Sequence, residues 1–235
     1  MANVTLYGPT GLLLNPPAAA IVDPTFAGLR ASLRPTEFSF GGTVGGHFKQ
    51  AFTFSNAAGI TTTPLVTIRW APATAGLLFV LTRLRWTHAI LTTAFTTQQL
   101  VDVAATIART FTVADTGGSA SIIPGAGKQK ARSNMSDSQV QQFITGSTAI
   151  VAGTRTLDTN PFTQSGADVA SNTVATGGTP LITSTKELYA LNPGTEHPVV
   201  LANQEGIVVN CPQSLAAVGV VKWGFLVEWL EAVQF

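Results

Sequence analysis

Apolar residues alternate with polar or small ones along much of this chain. The clearest run is 220–231, where Val221, Trp223, Phe225, Val227 and Trp229 fall on one face and Lys222 and Glu228 on the other. Period-two alternation of this length predicts a strand with one face in a core. Just upstream, Leu201–Pro212 forms a second apolar run. The small-residue connection between the two predicts a β-hairpin.

Shorter strands are predicted at Phe48–Ser55, Leu65–Ala71 and Leu77–His88, the last with Leu78, Val80, Leu84 and Trp86 on one face. Leu100–Val113 fits either period. Its Thr and Val content and the Asp115-Thr-Gly-Gly turn that follows favour a strand. Thr145–Val151, Arg155–Phe162, Leu181–Ala190 and Val199–Leu201 complete the set, with polar Gly/Ser/Thr loops at 117–137 and 165–180. Many short strands separated by turn signals predict an all-β chain, a β-sandwich of jelly-roll-like form, over residues 41–235.

Residues 1–40 read differently. Pro9, Pro16, Pro17, Pro24 and Pro35 recur through them, and proline at this density excludes a helix interior or a central strand. The segment is nevertheless apolar, with Leu12, Leu13, Leu14, Ile21, Val22 and Phe26, unlike a disordered linker. It is expected to be an extended arm whose six apolar residues anchor it, either on a neighbouring subunit or on its own domain.

Composition sharpens this picture. Charged residues make up 11% of the 235, against roughly 25% in an average soluble domain. Thr, Ala, Gly, Ser and Gln take their place. So few charges leave little to keep one surface apart from another, and a self-covering homo-oligomer is expected. The net charge of +1 provides no field for nucleic acid. The charges are split: no acid lies between Glu37 and Asp102, whereas seven acids and only Lys186 and Lys222 follow Arg155. Internal pairing or contacts between copies would both use that split.

The chemistry expected of an enzyme is missing from the pattern. Gly125-Ala-Gly-Lys128 lacks the first glycine of a phosphate loop, Ile122 standing there, and Gln129 replaces its Ser or Thr. His47, His88 and His197 lie far apart, without a second ligand at metal spacing. The single cysteine, Cys211, sits in an apolar strand and reads as a small buried hydrophobe. Lys128, Lys130 and Arg132 cluster in a Gly/Ser loop with no aromatic platform beside them. The expectation is therefore no catalysis, no cofactor, no metal and no direct nucleic-acid binding. The apolar stretch from Leu12 to Val22 is broken by Pro16 and Pro17 and is too short to span a bilayer. The first basic residue, Arg30, comes late for a secretory signal, so synthesis in a reducing cytoplasm is expected.

The order of features resembles a class of tailed-bacteriophage virion proteins. The resemblance rests on the Pro/Ala-rich arm, Gly45-Gly-His47, Ile68-Arg-Trp-Ala-Pro72, Phe79-Val-Leu-Thr-Arg-Leu-Arg-Trp86, Leu201-Ala-Asn-Gln-Glu-Gly206 and Val227-Glu-Trp-Leu-Glu231. It covers roughly residues 40–115 and 195–235 and carries over no individual binding residue. It implies a virion structural protein similar to head decoration or cement proteins. The implied partner is the major capsid protein, the implied location the capsid surface, and the implied oligomer a trimer suited to three-fold lattice positions. The alternative it leaves open is a tail or receptor-binding component with a carbohydrate site. Trp70, Trp86, Trp223 and Trp229 would then be exposed platforms, although their alternation with aliphatic residues points to a core.

Overall fold

The computed structural model describes residues 46–57, 63–73, 75–90, 99–118, 120–122, 137–145, 148–165, 168–170, 185–192, 197–213, 215 and 219–232. The expected arm, with Leu12, Leu13, Leu14, Ile21, Val22 and Phe26, lies outside them. So does the basic loop with Lys128, Lys130 and Arg132.

Sixteen strands are present among the described residues: β1 (Gly46–Ala57), β2 (Val66–Trp70), β3 (Leu78–Ile90), β4 (Gln99–Val101), β5 (Ala104–Arg109), β6 (Thr116–Gly117), β7 (Ala120–Ile122) and β8 (Val140–Ile144), then β9 (Ile150–Val151), β10 (Thr156–Leu157), β11 (Thr163–Gln164), β12 (Asp168–Ala170), β13 (Lys186–Ala190), β14 (Val199–Leu201), β15 (Glu205–Asn210) and β16 (Val220–Ala232). One antiparallel sheet runs β1-β16-β3-β13, with β14 also on β3. The other runs β10-β5-β15-β2-β8-β7, with β11 also on β5. Two short pairs, β4 with β12 and β6 with β9, stand apart. The two large sheets pack together as a sandwich, as the strand pattern predicts.

The core lies between them. Phe48, Phe79 and Trp229 stack at one end, with ring centroids 5.6 Å apart for Phe48–Trp229 and 6.0 Å for Phe79–Trp229. Trp70 tilts against Phe79 there and donates its indole N–H to the Leu77 carbonyl at 3.0 Å. Toward the other end His88 packs on Trp86 and Trp223, and the aromatic run continues from Trp223 through Phe225 to Phe54. The predicted face of β16 is the buried one: Val221, Trp223, Phe225, Val227 and Trp229 are all within the core.

Several expectations are corrected. The two C-terminal runs do not form a hairpin. β15 pairs with β2 and β5, and β16 with β1 and β3, so they belong to opposite sheets. The physical reason is burial. Gly206, Ile207, Val208 and Val209 are all buried, which requires a central strand covered on both faces, and β15 takes that place between β5 and β2. The inward face of β3 also changes. A register shift opposite Glu228 and Trp229 leaves Thr82 as an extra residue, and a bulge of this kind switches the alternation beyond it. Phe79 and Leu81 therefore join Leu84 and Trp86 in the main core cluster, whereas Leu78 and Val80 lie outside it, Val80 being fully buried nonetheless.

Leu100–Val113 is extended, as preferred over a helix, but breaks at Asp102–Val103 into β4 and β5, which lie in different sheets. Ser165 fastens that break, its hydroxyl taking the Val103 N–H at 3.1 Å. Arg155–Phe162 carries only the two-residue β10, and 145–151 only β9. The strand that pairs with β2 there is β8, just upstream.

Candidate interaction surface

The outward face of the β1–β16–β3–β13 sheet has two parts, both consequences of alternation. Opposite the aromatic core face, β16 presents Lys222, Gly224, Leu226 and Glu228. In register beside them stand Lys49, Ala51, Thr53 and Ser55 from β1 and Arg83, Arg85 and Thr87 from β3.

The first part is a ladder of alternating charge across four strands. Lys49 Nζ lies 2.9 Å from Glu228 Oε1, and Arg83 Nη1 lies 3.8 Å from the same oxygen. Arg83 Nε reaches Glu187 Oε1 at 3.1 Å, and Arg85 Nε reaches Glu187 Oε2 at 2.8 Å. Such partly exposed pairs add little to stability, on the order of 0–1 kcal/mol each. Their effect is to neutralise part of the charge on this face, where the four bases Lys49, Arg83, Arg85 and Lys222 stand with the two acids Glu187 and Glu228. The uneven charge distribution of the sequence is thus partly resolved by pairing early bases with late acids.

The second part is a shallow groove of about 520 Å³ centred on Gly224, bordered by Ala51, Thr53, Arg85, Thr87 and Leu226. The sequence makes this groove by placing a glycine between Trp223 and Phe225. A Cβ at position 224 would come within 2.8 Å of the Thr87 methyl. Small side chains, Ala51, Thr53 and Thr87, and the longer Arg85 and Leu226 form its rim.

The other sheet carries buried polar chemistry that the sequence reading missed. Arg69 lies on the outward face of β2 and is clamped under residues 111–115. Its Nε donates to the Phe111 carbonyl at 2.7 Å, Nη2 to the Thr112 carbonyl at 2.9 Å and Nη1 to Gln141 Oε1 at 2.7 Å. Asp115 accepts from Arg155 and from the Gly153 N–H at 2.8 Å. The Phe111 ring sits between the two guanidiniums, 5.0 Å from Arg155 and 5.9 Å from Arg69. It occupies the space left by Gly206, where a Cβ would lie 2.7 Å from the ring. Burial lowers the Arg69 pKa, opposed by the charge of Asp115. This cluster ties a loop to the sheet. The signal for it was a lone charge, Arg69, inside the mostly apolar Leu65–Trp70 run.

Two more polar groups are structural. Arg109 holds Glu205 at 2.5 Å and Asp158 at 3.3 Å, and hydrogen bonds from these two carboxylates raise its pKa. Glu231 is 2% exposed, and its Oε1 accepts from Ser138 Oγ at 2.5 Å, from the Trp229 indole at 3.1 Å and from the Gln139 N–H at 3.3 Å. Burial raises its pKa, against the effect of those three hydrogen bonds.

The residues considered for chemistry are not brought together. Cys211 is buried, and desolvation, with a smaller contribution from Asp102, pushes its thiol up to about 12. It is a core side chain with no thiolate at neutral pH. His88 is buried against Trp86 and Trp223, whereas His47 lies on β1 and His197 is exposed. Among the described residues no three His, Cys, Asp or Glu side chains are placed to hold a metal, and no helix is long and apolar enough to cross a membrane. Trp70, Trp86, Trp223 and Trp229 are at most 2% exposed, so none of them forms a surface platform.

Comparison of the chain with family models, with curated proteins and with solved structures finds no match.

Proposed function

We propose that this chain is a virion structural protein, a decoration or cement protein that binds the outer head shell and strengthens it through contacts between subunits. The observation that carries the reading is the outward sheet face. It is broad, its glycine groove is bordered by Ala51, Thr53 and Thr87, and most of its charged side chains are paired within the chain, Lys49, Arg83 and Arg85 with Glu228 and Glu187. Such a surface suits contact with another protein surface better than enclosure of a small ligand. The low overall charge and the resemblance in residue order point the same way. On this reading the chain has no catalytic role, its partner is the major capsid protein, and it assembles as a homotrimer on the capsid surface after synthesis in the host cytoplasm. The jelly-roll connection belongs to the same proposal. It is supported by successive strands that change sheets, β14 to β15 to β16 above all.

The arm has a defined place in it. Extended chain with spaced apolar anchors covers a long path on a neighbour at an ordering cost. Leu12, Leu13, Leu14, Ile21, Val22 and Phe26 would fasten the domain to an adjacent subunit or to the shell. Stoichiometry tests the function directly. A stained gel of purified virions should show this chain in hundreds of copies, whereas a handful would identify a tail component and overturn the head assignment. Deleting residues 1–36 should leave the sandwich folded but absent from particles. Undiminished binding of the truncated chain to capsids would remove the arm as the fastener.

A further inference from the structure

We propose that β1 is a self-pairing edge. Two copies of the chain join β1 to β1 antiparallel about a two-fold axis at Gln50, and their β1–β16–β3–β13 sheets become one.

The argument starts from the ladder. β1 is 12 residues long and pairs with β16 without interruption, from Gly46 opposite Glu231 to Ala57 opposite Val220. Among the described residues no strand lies on its other side. Every second residue of such a strand turns its N–H and C=O outward, a template for another strand. Edges are ordinarily blunted by proline, a bulge, shortness or several charges. β1 has no proline and no bulge, and its single charge is Lys49. The opposite edge of the same sheet contrasts with it. There β13 and β14 are separate strands of five and three residues, and β13 carries a register shift between Glu187 and Tyr189. Among the described residues, one edge is interrupted and the other carries no further strand.

The side chains on this edge select a second copy as the occupant. Gln50 Oε1 is buried and lacks a donor, an arrangement that costs free energy until a partner is found. A two-fold axis through Gln50, normal to the sheet, keeps the inward faces of both copies on the same side. It sets the two Gln50 amides opposite each other. Rotated toward the edge, each can donate Nε2–H to the other's Oε1. The same register places Lys49 opposite Ala51 of the partner subunit, so the lone charge does not meet itself. It also places Phe52, half-buried at the margin of the core and stacked on Phe225 at 5.8 Å, opposite Phe48 of the partner subunit. Isologous contacts of this kind need a patch that complements itself, and this strand does so in that register. By itself the contact makes pairs. Within a three-fold assembly it would be a separate interface that joins one group of three to the next.

The experiment uses the purified full chain without capsids, so its result is independent of the capsid reading. Sedimentation equilibrium should show a reversible dimer. Position 51 is exposed and faces Lys49 of the partner subunit twice per dimer. Ala51→Glu should therefore tighten the dimer and Ala51→Lys weaken it, each by roughly two- to thirty-fold. Gln50→Cys should form a disulfide-linked dimer on mild oxidation, since the two thiols would face each other across the axis and Cys211 is buried. Lys49→Cys should not. A wild-type monomer at high concentration overturns the proposal. Equal weakening by both position-51 variants, or no crosslink at position 50, overturns the register and with it the role given to Gln50.

Discussion

Arg155 Nη1 donates to both carboxylate oxygens of Asp115, while the same guanidinium lies 5.0 Å from the centre of the Phe111 ring. The Asp115 side chain is fully buried and that of Arg155 is 6% exposed. A pair this dry is not itself a large source of stability, but removing one partner strands the other charge. Asp115→Ala should cost about 3–5 kcal/mol, because Arg69 and Arg155 both lose their counter-charge. Asp115→Asn keeps an acceptor for the Gly153 N–H and should cost less. Urea denaturation of the two variants checks the order. Equal and small losses would mean that water reaches the site.

Phe225 is 3% exposed and stacks on Phe52 and Phe54. Phe225→Ala should lower stability by about 3–5 kcal/mol, the usual cost of emptying a fully packed aromatic site. A thermal midpoint near that of the wild type would place this face of β16 outside the core.

Glu231 gives stability a pH dependence of known sign. Its folded pKa is raised by burial, so the folded state holds the proton more tightly than the unfolded chain. The stabilising contribution is full below the unfolded carboxylate value and is lost as pH rises through the folded one. Glu231→Gln removes that titration and keeps an oxygen acceptor for Ser138 and Trp229. The variant should gain on the wild type between about pH 4 and pH 7. Urea midpoints at the two pH values measure this, and a constant difference would show that Glu231 titrates normally.

Cys211 should resist alkylation. With its pKa pushed up to about 12 and 1% exposure, it offers almost no thiolate to a reagent at neutral pH. Iodoacetamide should label the native chain far more slowly than the urea-unfolded chain, as read by intact mass. Rapid native labelling would show that the C-terminal end of β15 opens.

Part of the outward sheet face was legible in advance. The outward positions Lys222 and Glu228 and the inward Trp223, Phe225, Val227 and Trp229 follow from the sequence, because the direction of a side chain on a strand is a local property of the backbone. The burial of Cys211 and the all-β class follow for the same reason. Which strands meet was not legible. The apolar runs that end in Asn210 and begin at Val220 look like two arms of a hairpin, yet each finds its partners in a different sheet.

The amino-acid sequence by itself determined the alternation, the strand-forming segments, the scarcity of charge and the glycine that hollows the outward face. Tertiary structure alone decided the pairing of β1 with β16, the bulge at Thr82 that brings Phe79 and Leu81 into the main core cluster, and the meeting of Arg69 with Asp115 and Arg155. The physical reason is range. Periodicity reports on neighbours two residues apart, whereas pairing between strands, register shifts and the joining of buried charges depend on residues dozens of positions away, chosen by how the two sheets fill the space between them.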